Sequence, residues 1–141
     1  MTYARRVVPE LVVADVGAAQ AWYAAVLGAT PMWTWQGTFG AVRLGDAELY
    51  LVRDRSRGPV TCYLHVDTVD TVHAQVAAGL ADSPPVSGGA VLEELGDREW
   101  AMREFALGDP WRNALRIGQP LAPVGTTAGY APATGEEDPR R

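Results

Sequence analysis

The most constraining feature of the sequence is an order of predicted elements that occurs twice. In each half, a short β-type run is followed by a helical pattern and then by three alternating segments separated by turns. The β-type runs span residues 7–13, 30–35, 39–44, 47–52, 61–66, 91–95, 100–107 and 114–117. Two copies of a β-α-β-β-β unit predict an α+β domain made of two similar modules.

The two helices are recognised by the spacing of their apolar residues. In the first, at residues 16–27, apolar side chains recur at helical spacing, with Asp15 as the N-cap and Gly28 as the C-terminal stop. The second helix repeats this pattern at Val69, Val72, Val76 and Leu80.

The repeat divides the chain into modules at about residues 7–53 and 61–117, joined by a linker at residues 54–59. Residues 1–117 are therefore predicted to form one domain. Residues 118–141 are rich in Pro, Gly and Ala, contain an acidic clump and show no periodicity. That composition predicts a tail that is flexible or lies on the surface.

Composition and charge exclude several classes of protein. A chain of 141 residues, 48% hydrophobic and 21% charged, is long enough for one domain with a sizeable core. The net charge of -5 disfavours nucleic acid and anionic membranes as partners, because both require a basic surface. The single cysteine, Cys62, allows neither an intrachain disulfide nor a thiolate zinc cluster. The apolar stretches of the sequence are too short for a transmembrane helix or a signal peptide. We therefore expect a soluble, cytoplasmic protein.

Strand parity sorts the side chains of the predicted sheets into two faces, because successive residues point to opposite sides. The face predicted to pack on the helices comprises Leu11, Val13, Val42, Leu44, Leu49, Leu51, Cys62, Leu64, Val66, Phe105, Leu107, Leu115 and Ile117. The other face mixes aromatic with charged residues, which is typical of a ligand-binding concavity. It carries Val8, Glu10, Phe39, Arg43, Glu48, Tyr50, Thr61, Tyr63, His65, Trp100, Met102, Glu104 and Arg116.

Three segments of the sequence carry a family resemblance. Residues 103–106 read Arg-Glu-Phe-Ala and precede Asp109-Pro110 and Asn113, which is similar to the R-E-F-A-x-x-D-P-x-x-N segment of bleomycin-binding proteins. Glu99-Trp100 resembles a pair that supplies a stacking tryptophan in a related bleomycin-binding branch. Residues 21–28 fit the pattern F-Y-x-x-x-L-G. With the tandem units, these segments resemble the vicinal oxygen chelate superfamily over about residues 7–118.

One turn departs from the pattern of that superfamily. Residues 109–113 read Asp-Pro-Trp-Arg-Asn, with Arg112 where the family's D-P-x-G-N turn has glycine. Trp111 in this turn is either an additional contact at the rim of the cup or at a dimer interface, or a surface aromatic without a role.

Enzymes of the superfamily bind a divalent metal, and the resemblance places the four ligand positions here at Val8, Tyr50, Thr61 and Arg116. None of these side chains suits a divalent cation, and an arginine repels one. Neither histidine, His65 or His73, completes such a site, and carboxylates alone would be atypical for this fold. Cys62, on the helix-covered face, is predicted to be a small buried hydrophobe. We therefore expect no catalytic residue, no metal and no cofactor.

The aromatic content of the mixed face indicates a flat ligand. Three of the five tryptophans, at positions 33, 35 and 100, lie in or beside segments of this face, among neighbours too polar for a core. Glu10, Glu48 and Glu104 favour a cationic ligand, with Arg43 and Arg116 neutralising part of that charge. The predicted ligand-binding residues are Trp33, Trp35, Phe39, Glu48, Tyr50, Tyr63, His65, Trp100, Met102, Glu104 and Arg116.

The resemblance implies a cup-shaped sheet closed across a homodimer, often with an exchanged N-terminal arm, because one module makes only half a cup. It predicts a non-catalytic protein that sequesters a bleomycin-like glycopeptide antibiotic, free or as its metal complex, and so confers resistance. Two alternatives stay open. One is a vicinal oxygen chelate enzyme of dioxygenase, glyoxalase or transferase type that acts on a small molecule. The other is a binding protein for another flat natural product.

Overall fold

The computed structural model describes residues 3–83, 86 and 88–121. These residues form two modules, each with one helix against one sheet. The first contains β1 (Glu10–Val12), α1 (Val16–Leu27), β2 (Thr30–Trp35), β3 (Phe39–Leu44) and β4 (Ala47–Val52). The second contains β5 (Thr61–His65), α2 (Val69–Asp82), β6 (Val91–Leu92), β7 (Gly96–Asp97), β8 (Met102–Gly108) and β9 (Ala114–Pro120).

The two sheets have equivalent topologies, which confirms the predicted α+β class. The first sheet has the order β1-β4-β3-β2 and the second β5-β9-β8-β6, with β7 also paired to β8. In each, the first strand of the module lies parallel to its last strand, and the other pairs are antiparallel. A parallel pair cannot be joined by a tight hairpin, so the helix and two further strands of each module lie between its two members.

The ends of the two helices are fixed in different ways. Asp15 accepts a hydrogen bond from the Ala18 N–H over 2.9 Å, and Gly28 ends α1 in the left-handed conformation (φ 69°), so both predicted caps are confirmed. The Thr68 side chain does not cap α2. The side chain of Gln119, on β9, accepts from the Val69 N–H over 2.9 Å instead. A residue distant in sequence therefore stabilises the start of α2.

One hydrophobic core lies between the sheets and the helices. The predicted helix-covered face supplies most of it, and Leu11, Leu51, Phe105 and Ile117 are fully buried. The β5 members of this set, Cys62 among them, are only half-buried. Parity therefore predicts which face is covered, but not how completely each residue on that face is buried.

A buried polar network joins the two modules at the turn between β8 and β9. The Tyr23 hydroxyl donates to Asp109 over 2.7 Å, and Asn113 Nδ2 donates to the Val12 carbonyl over 2.8 Å. Asn113 also accepts from the Val60 N–H over 3.0 Å. Burial raises the pKa of Asp109, although the hydrogen bonds from Asn113 and Tyr23 oppose that shift. Burial and the neighbouring Asp109 raise the pKa of Tyr23, which therefore remains a donor at neutral pH.

Several strand ends differ from the predicted ones for local reasons. Strand β1 is shorter than predicted and starts directly after Pro9, which has no N–H to donate. Strand β8 starts directly after Ala101, whose positive φ of 63° does not fit a strand. Of the run predicted at residues 91–95, only Val91–Leu92 forms a strand (β6), and pairing with β8 resumes beyond the run, at β7. The segment between Leu92 and Gly96 contains one residue more than the facing segment of β8, which interrupts the pairing.

The C-terminal boundary also differs from the predicted one. Strand β9 continues to Pro120, beyond the boundary predicted at residue 117, so residues 118–120 belong to the second sheet. The remainder of the predicted tail, residues 122–141, lies outside the described residues. Neither helix in the described part of the chain has the length and apolar character needed to span a bilayer.

Candidate functional site

The predicted binding residues form two groups, one on the mixed face of each sheet. The first half-site, on β2, β3 and β4, contains Trp33, Trp35, Phe39, Glu48 and Tyr50. The second half-site, on β5, β8, β9 and the turn before β8, contains Tyr63, His65, Trp100, Met102, Glu104 and Arg116. Within residues 3–83, 86 and 88–121, no hydrogen bond, ion pair or ring contact joins the two groups. A single chain thus presents two half-sites.

Three rings of the first half-site pack against one another. The ring centroid of Phe39 lies 5.1 Å from that of Trp33 and 5.2 Å from that of Tyr50. Trp33 and Tyr50 are 5.5 Å apart, edge-on. Trp33 is 38% exposed and Trp35 is 59% exposed, so both indoles present ring surface to solvent.

The β2–β3 hairpin positions these two tryptophans. Gln36 and Gly37 both have positive φ, 50° and 68°, as in type I′ turns, and the Thr38 N–H donates to the Trp35 carbonyl over 3.1 Å. A bulge just before Trp33 shifts the register of β2. Both indoles consequently lie on the face that carries Phe39.

Two glutamates of the mixed face are paired with arginines. The Nη2 atom of Arg6 lies 2.9 Å from Oε2 of Glu48, close enough for an ion pair but without hydrogen-bond geometry. Arg57 donates to Glu10 over 2.8 Å. Arg43, the predicted neutralising partner, makes no ion pair with any described residue. Because Arg6 and Arg57 neutralise Glu48 and Glu10, this face attracts a cationic ligand less strongly than the sequence predicted.

The carboxylate of Glu104 organises the second half-site. Its Oε1 accepts from Trp100 Nε1 over 2.8 Å and from the Tyr63 hydroxyl over 3.2 Å. Its Oε2 accepts from Arg116 Nε and Nη2 over 3.0 and 2.9 Å. The Glu104 side chain is only 3% exposed, so these four donors replace its hydration. Glu104 is therefore an internal anchor for three binding-face side chains rather than a free counterion.

The protonation states of this cluster follow from the same contacts. Burial alone would raise the pKa of Glu104, but the hydrogen bonds from Trp100 and Arg116 and the charge of Arg116 lower it below its ordinary value. Burial and the adjacent Glu104 carboxylate raise the pKa of Tyr63 to about 12. At neutral pH, an ionised Glu104 thus accepts from a protonated Tyr63.

The Arg116 guanidinium contacts two rings of the second half-site. Its guanidinium carbon lies 5.1 Å from the Tyr63 ring centroid and 5.7 Å from that of Trp100, both within cation–π range. Tyr63 is 37% and Trp100 40% exposed. The guanidinium thus covers part of each ring, and a flat ligand would stack on the ring surface that stays exposed.

His65 and Met102 lie at the margin of the second half-site. The His65 imidazole stands edge-on to Tyr63, with ring centroids 5.1 Å apart, and its residue is exposed. Met102 is half-buried at the start of β8 and pairs with Pro120. Both residues share a sheet with Glu104 but make no hydrogen bond to it.

Two residues that support the second half-site were not predicted from the sequence. Gly118, opposite Glu104 on β9, has no side chain, and a Cβ there would collide with the Tyr63 hydroxyl. Ala101 holds a positive φ directly after Trp100. An isolated glycine within a strand pattern signals such a close approach, whereas nothing in the sequence marks Ala101.

The side chains at the predicted metal-ligand positions offer no donor set for a metal. The part of the chain that the structure describes has no group of three His, Cys, Asp or Glu residues able to hold an ion. Burial raises the pKa of the Cys62 thiol to about 11, so it is protonated at neutral pH. His73 packs edge-on against Phe105, with ring centroids 4.7 Å apart. We interpret both residues as structural.

Comparisons with known proteins place this architecture among solved structures. No protein-family model and no curated protein matches the sequence. The bleomycin-binding protein of Streptomyces verticillus, solved with copper(II)-bleomycin, is 25% identical with a TM-score of 0.69, over 83% of this chain and 97% of that one. A bleomycin resistance determinant encoded on the transposon Tn5 is 20% identical with a TM-score of 0.70, over 84% and 100%. A glyoxalase-related enzyme from Clostridium phytofermentans is 13% identical with a TM-score of 0.68, over 84% and 97%.

Proposed function

We propose that this chain, which has the fold of the vicinal oxygen chelate superfamily, binds and sequesters a bleomycin-like glycopeptide antibiotic without transforming it. The observation that carries the proposal is the pair of exposed aromatic surfaces on the helix-free sheet faces. Solvated sheet faces seldom carry four exposed rings, and flat heteroaromatic groups are the ligands that such rings bind best. The likeness to bleomycin-binding proteins supports this ligand class.

The size of the aromatic surfaces indicates that both half-sites contact the ligand. A large aromatic side chain has about 150–250 Å² of surface in total. When about 40% of it is exposed, roughly 60–100 Å² remains for a ligand to cover. At about 25 cal/mol per Å², that contributes about 1.5–2.5 kcal/mol. Two rings of one half-site therefore contribute about 3–5 kcal/mol, less than the roughly 8 kcal/mol of micromolar binding. Two half-sites brought together contribute about 6–10 kcal/mol before the cost of association, so one half-site alone is insufficient.

A homodimer is the arrangement that brings them together. The first half-site of one chain would face the second half-site of its partner, giving two equivalent clefts related by a two-fold axis. Tyr3 and Val7 are almost fully exposed although apolar, which is expected of an N-terminal arm that packs on a partner chain.

Charge contributes less to this binding than stacking does. Glu10, Glu48 and Glu104 are each paired with an arginine, so a cationic antibiotic meets few free carboxylates. Screening by salt acts mainly on exposed, unpaired charges. Affinity is therefore expected to change by less than about threefold between low and physiological salt.

An enzymatic function is the second candidate, because a glyoxalase-related enzyme shares the fold at a similar TM-score. Such an enzyme would need a metal bound outside the ligand positions known for the superfamily. Metal analysis of protein purified without chelators distinguishes the two: stoichiometric Fe, Mn, Zn or Ni favours the enzyme. A binding protein for another flat natural product would use the same rings, and only a ligand screen separates it from the first proposal.

Calorimetric titration with metal-free bleomycin and with copper(II)-bleomycin tests the proposal. We expect saturation at about one drug per chain and micromolar or tighter affinity. Trp35→Ala should weaken binding at least threefold, because this indole is exposed and makes no ring contact with described residues. Trp111→Phe is the matched control, since that indole packs on Trp22 away from both half-sites. No saturable binding of either form would exclude bleomycin as the ligand.

A further inference from the structure

A second concave surface lies at the junction of the two modules. This surface, the arginine groove, has a volume of about 360 Å³, within the range of small-molecule sites. It lies between the linker that follows β4 and the turn between β8 and β9, and the end of β1 forms its floor. The residues that line its walls include Arg53, Asp54, Arg55, Arg57, Trp111 and Arg112.

The groove concentrates positive charge on an acidic protein. Four of the chain's twelve basic residues line it, against a single carboxylate, Asp54. Arg57 is paired with Glu10 at 2.8 Å, but Arg53, Arg55 and Arg112 have no carboxylate of a described residue within ion-pair distance. Four guanidinium groups against two carboxylates leave an excess of two positive charges.

The linker wall of the groove is held in place by local hydrogen bonds. Asp54 accepts from the Ser56 N–H over 3.0 Å and from its hydroxyl over 2.6 Å, and the Arg57 N–H donates to the Asp54 carbonyl over 3.2 Å. The hydrogen bonds from Ser56 lower the pKa of Asp54, so its carboxylate stays ionised and committed to the turn. Asp54 therefore shapes the arginine-bearing segment and competes little for its guanidinium groups.

The opposite wall contains a strained arginine. Arg112 has a φ of 73°, in the left-handed region where glycine is favoured and a long side chain is disfavoured. The turn itself is fixed by Asp109, which accepts from the Trp111 and Asn113 N–H groups over 2.9 and 2.8 Å. Glycine at position 112 would make the same turn without strain. Backbone strain of this kind is concentrated at functional sites, so the position of Arg112 indicates a role for its guanidinium.

The chemistry of the groove defines the class of its ligand. We propose that the arginine groove binds a small phosphate monoester that carries a flat apolar group. Guanidinium forks match the tetrahedral oxyanion, and the excess of two positive charges matches a dianion. Pro59 and the exposed part of Trp111 offer apolar surface beside it. The overall charge of -5 repels long polyanions, so the site suits a small ester rather than nucleic acid.

Titration of the full chain with phenyl phosphate, phenyl sulfate and inorganic phosphate tests this site. Phenyl phosphate should bind more tightly than phenyl sulfate, which is a monoanion, and than inorganic phosphate, which lacks the ring. Affinity for phenyl phosphate should fall as pH drops below about 6, where the ester loses its second charge. Equal affinity for phenyl phosphate and phenyl sulfate would overturn the assignment to phosphate.

Two variants locate the binding and separate it from folding. Arg55→Gln and Arg112→Gly should each weaken phenyl phosphate binding at least fivefold. Arg112→Gly should also raise the melting temperature, because glycine relieves the strain at that turn. Arg103→Gln, which removes the same charge from a remote surface ion pair, should leave the affinity unchanged. The proposal would be overturned if both groove variants bound phenyl phosphate as tightly as the wild type. It would also be overturned if the wild type did not bind the ester at about 5 mM.

Discussion

At the scale of single residues, Trp100 combines an exposed ring with a fixed orientation. Its indole N–H is bonded to Glu104, whereas the ring is 40% exposed. A ring held in one orientation loses little entropy when a ligand stacks on it.

Trp100→Ala should weaken bleomycin binding at least tenfold, about 1.4 kcal/mol, because it removes a pre-oriented stacking surface. Glu104 keeps three donors from Tyr63 and Arg116, so the variant should remain folded. Calorimetric titration measures the affinity, and circular dichroism checks the fold. An unchanged affinity in a folded variant would remove Trp100 from the site.

Glu104→Gln should cost about 1.5–3 kcal/mol of stability at neutral pH, because charge-assisted hydrogen bonds to Arg116 are replaced by weaker ones. Its pKa is lower in the folded state than in the unfolded chain. The native protein therefore binds fewer protons, and this contribution, present above about pH 4.5, is lost as pH falls through the folded-state pKa.

Urea unfolding of the wild type and the Gln variant at several pH values between about 3 and 7 measures this effect. The difference between the two proteins should shrink toward acid pH. Glu94→Gln, at an exposed position without an ion pair to described residues, is the matched control. A difference that does not depend on pH would contradict the assigned ionisation of Glu104.

At the scale of elements, the helices depend on a close approach at Gly79. A Cβ at this position would lie 2.7 Å from the Ala25 carbonyl oxygen and 2.9 Å from Val26 Cα, both backbone atoms of α1. The absence of a side chain at Gly79 is therefore what allows α1 and α2 to pack at this distance.

Gly79→Ala should destabilise the fold by about 1–3 kcal/mol, because the helices must move apart in a packed core. Gly17→Ala is the matched control: it lies in α1, and the nearest side-chain atom, Oδ1 of Asp15, would be 3.6 Å from the new Cβ. That change should stabilise through helix propensity, by less than the roughly 1 kcal/mol of a helix interior, because Gly17 is only the second residue of α1. Chemical denaturation of both variants measures these opposite signs, and a neutral Gly79→Ala would show that the helices can adjust.

At the scale of the whole molecule, the arrangement of the clefts can be tested by complementation. If each cleft combines half-sites of two chains, a dimer of Trp33→Ala and Trp100→Ala chains has one cleft with both defects and one with neither. A refolded equimolar mixture should then recover about a quarter of the clefts at wild-type affinity. Clefts built within one chain would recover none. Sedimentation equilibrium of each variant alone shows whether it still forms dimers.

The sequence was sufficient for those features that depend on periodicity and on local caps. Helical spacing, Asp15 and Gly28 determine α1, and strand alternation assigns Leu11 and Phe105 to the covered face. The repeated order of elements leads to two similar sheets, because each module must bury one face against its own helix.

Only the tertiary structure decided which charges meet. The sequence placed Glu10, Glu48 and Glu104 on one face and correctly predicted Arg116 as a neutralising residue, which the structure pairs with Glu104. It could not show that Arg57 pairs with Glu10 and Arg6 with Glu48. These partners lie at sequence separations at which periodicity carries no information. The cap of α2 by Gln119 also depends on residues that are distant in sequence, and so does the arginine groove between the linker and the β8–β9 turn. Local sequence thus determines the elements and their faces, whereas the electrostatics of the sites depend on contacts between residues that are distant in sequence.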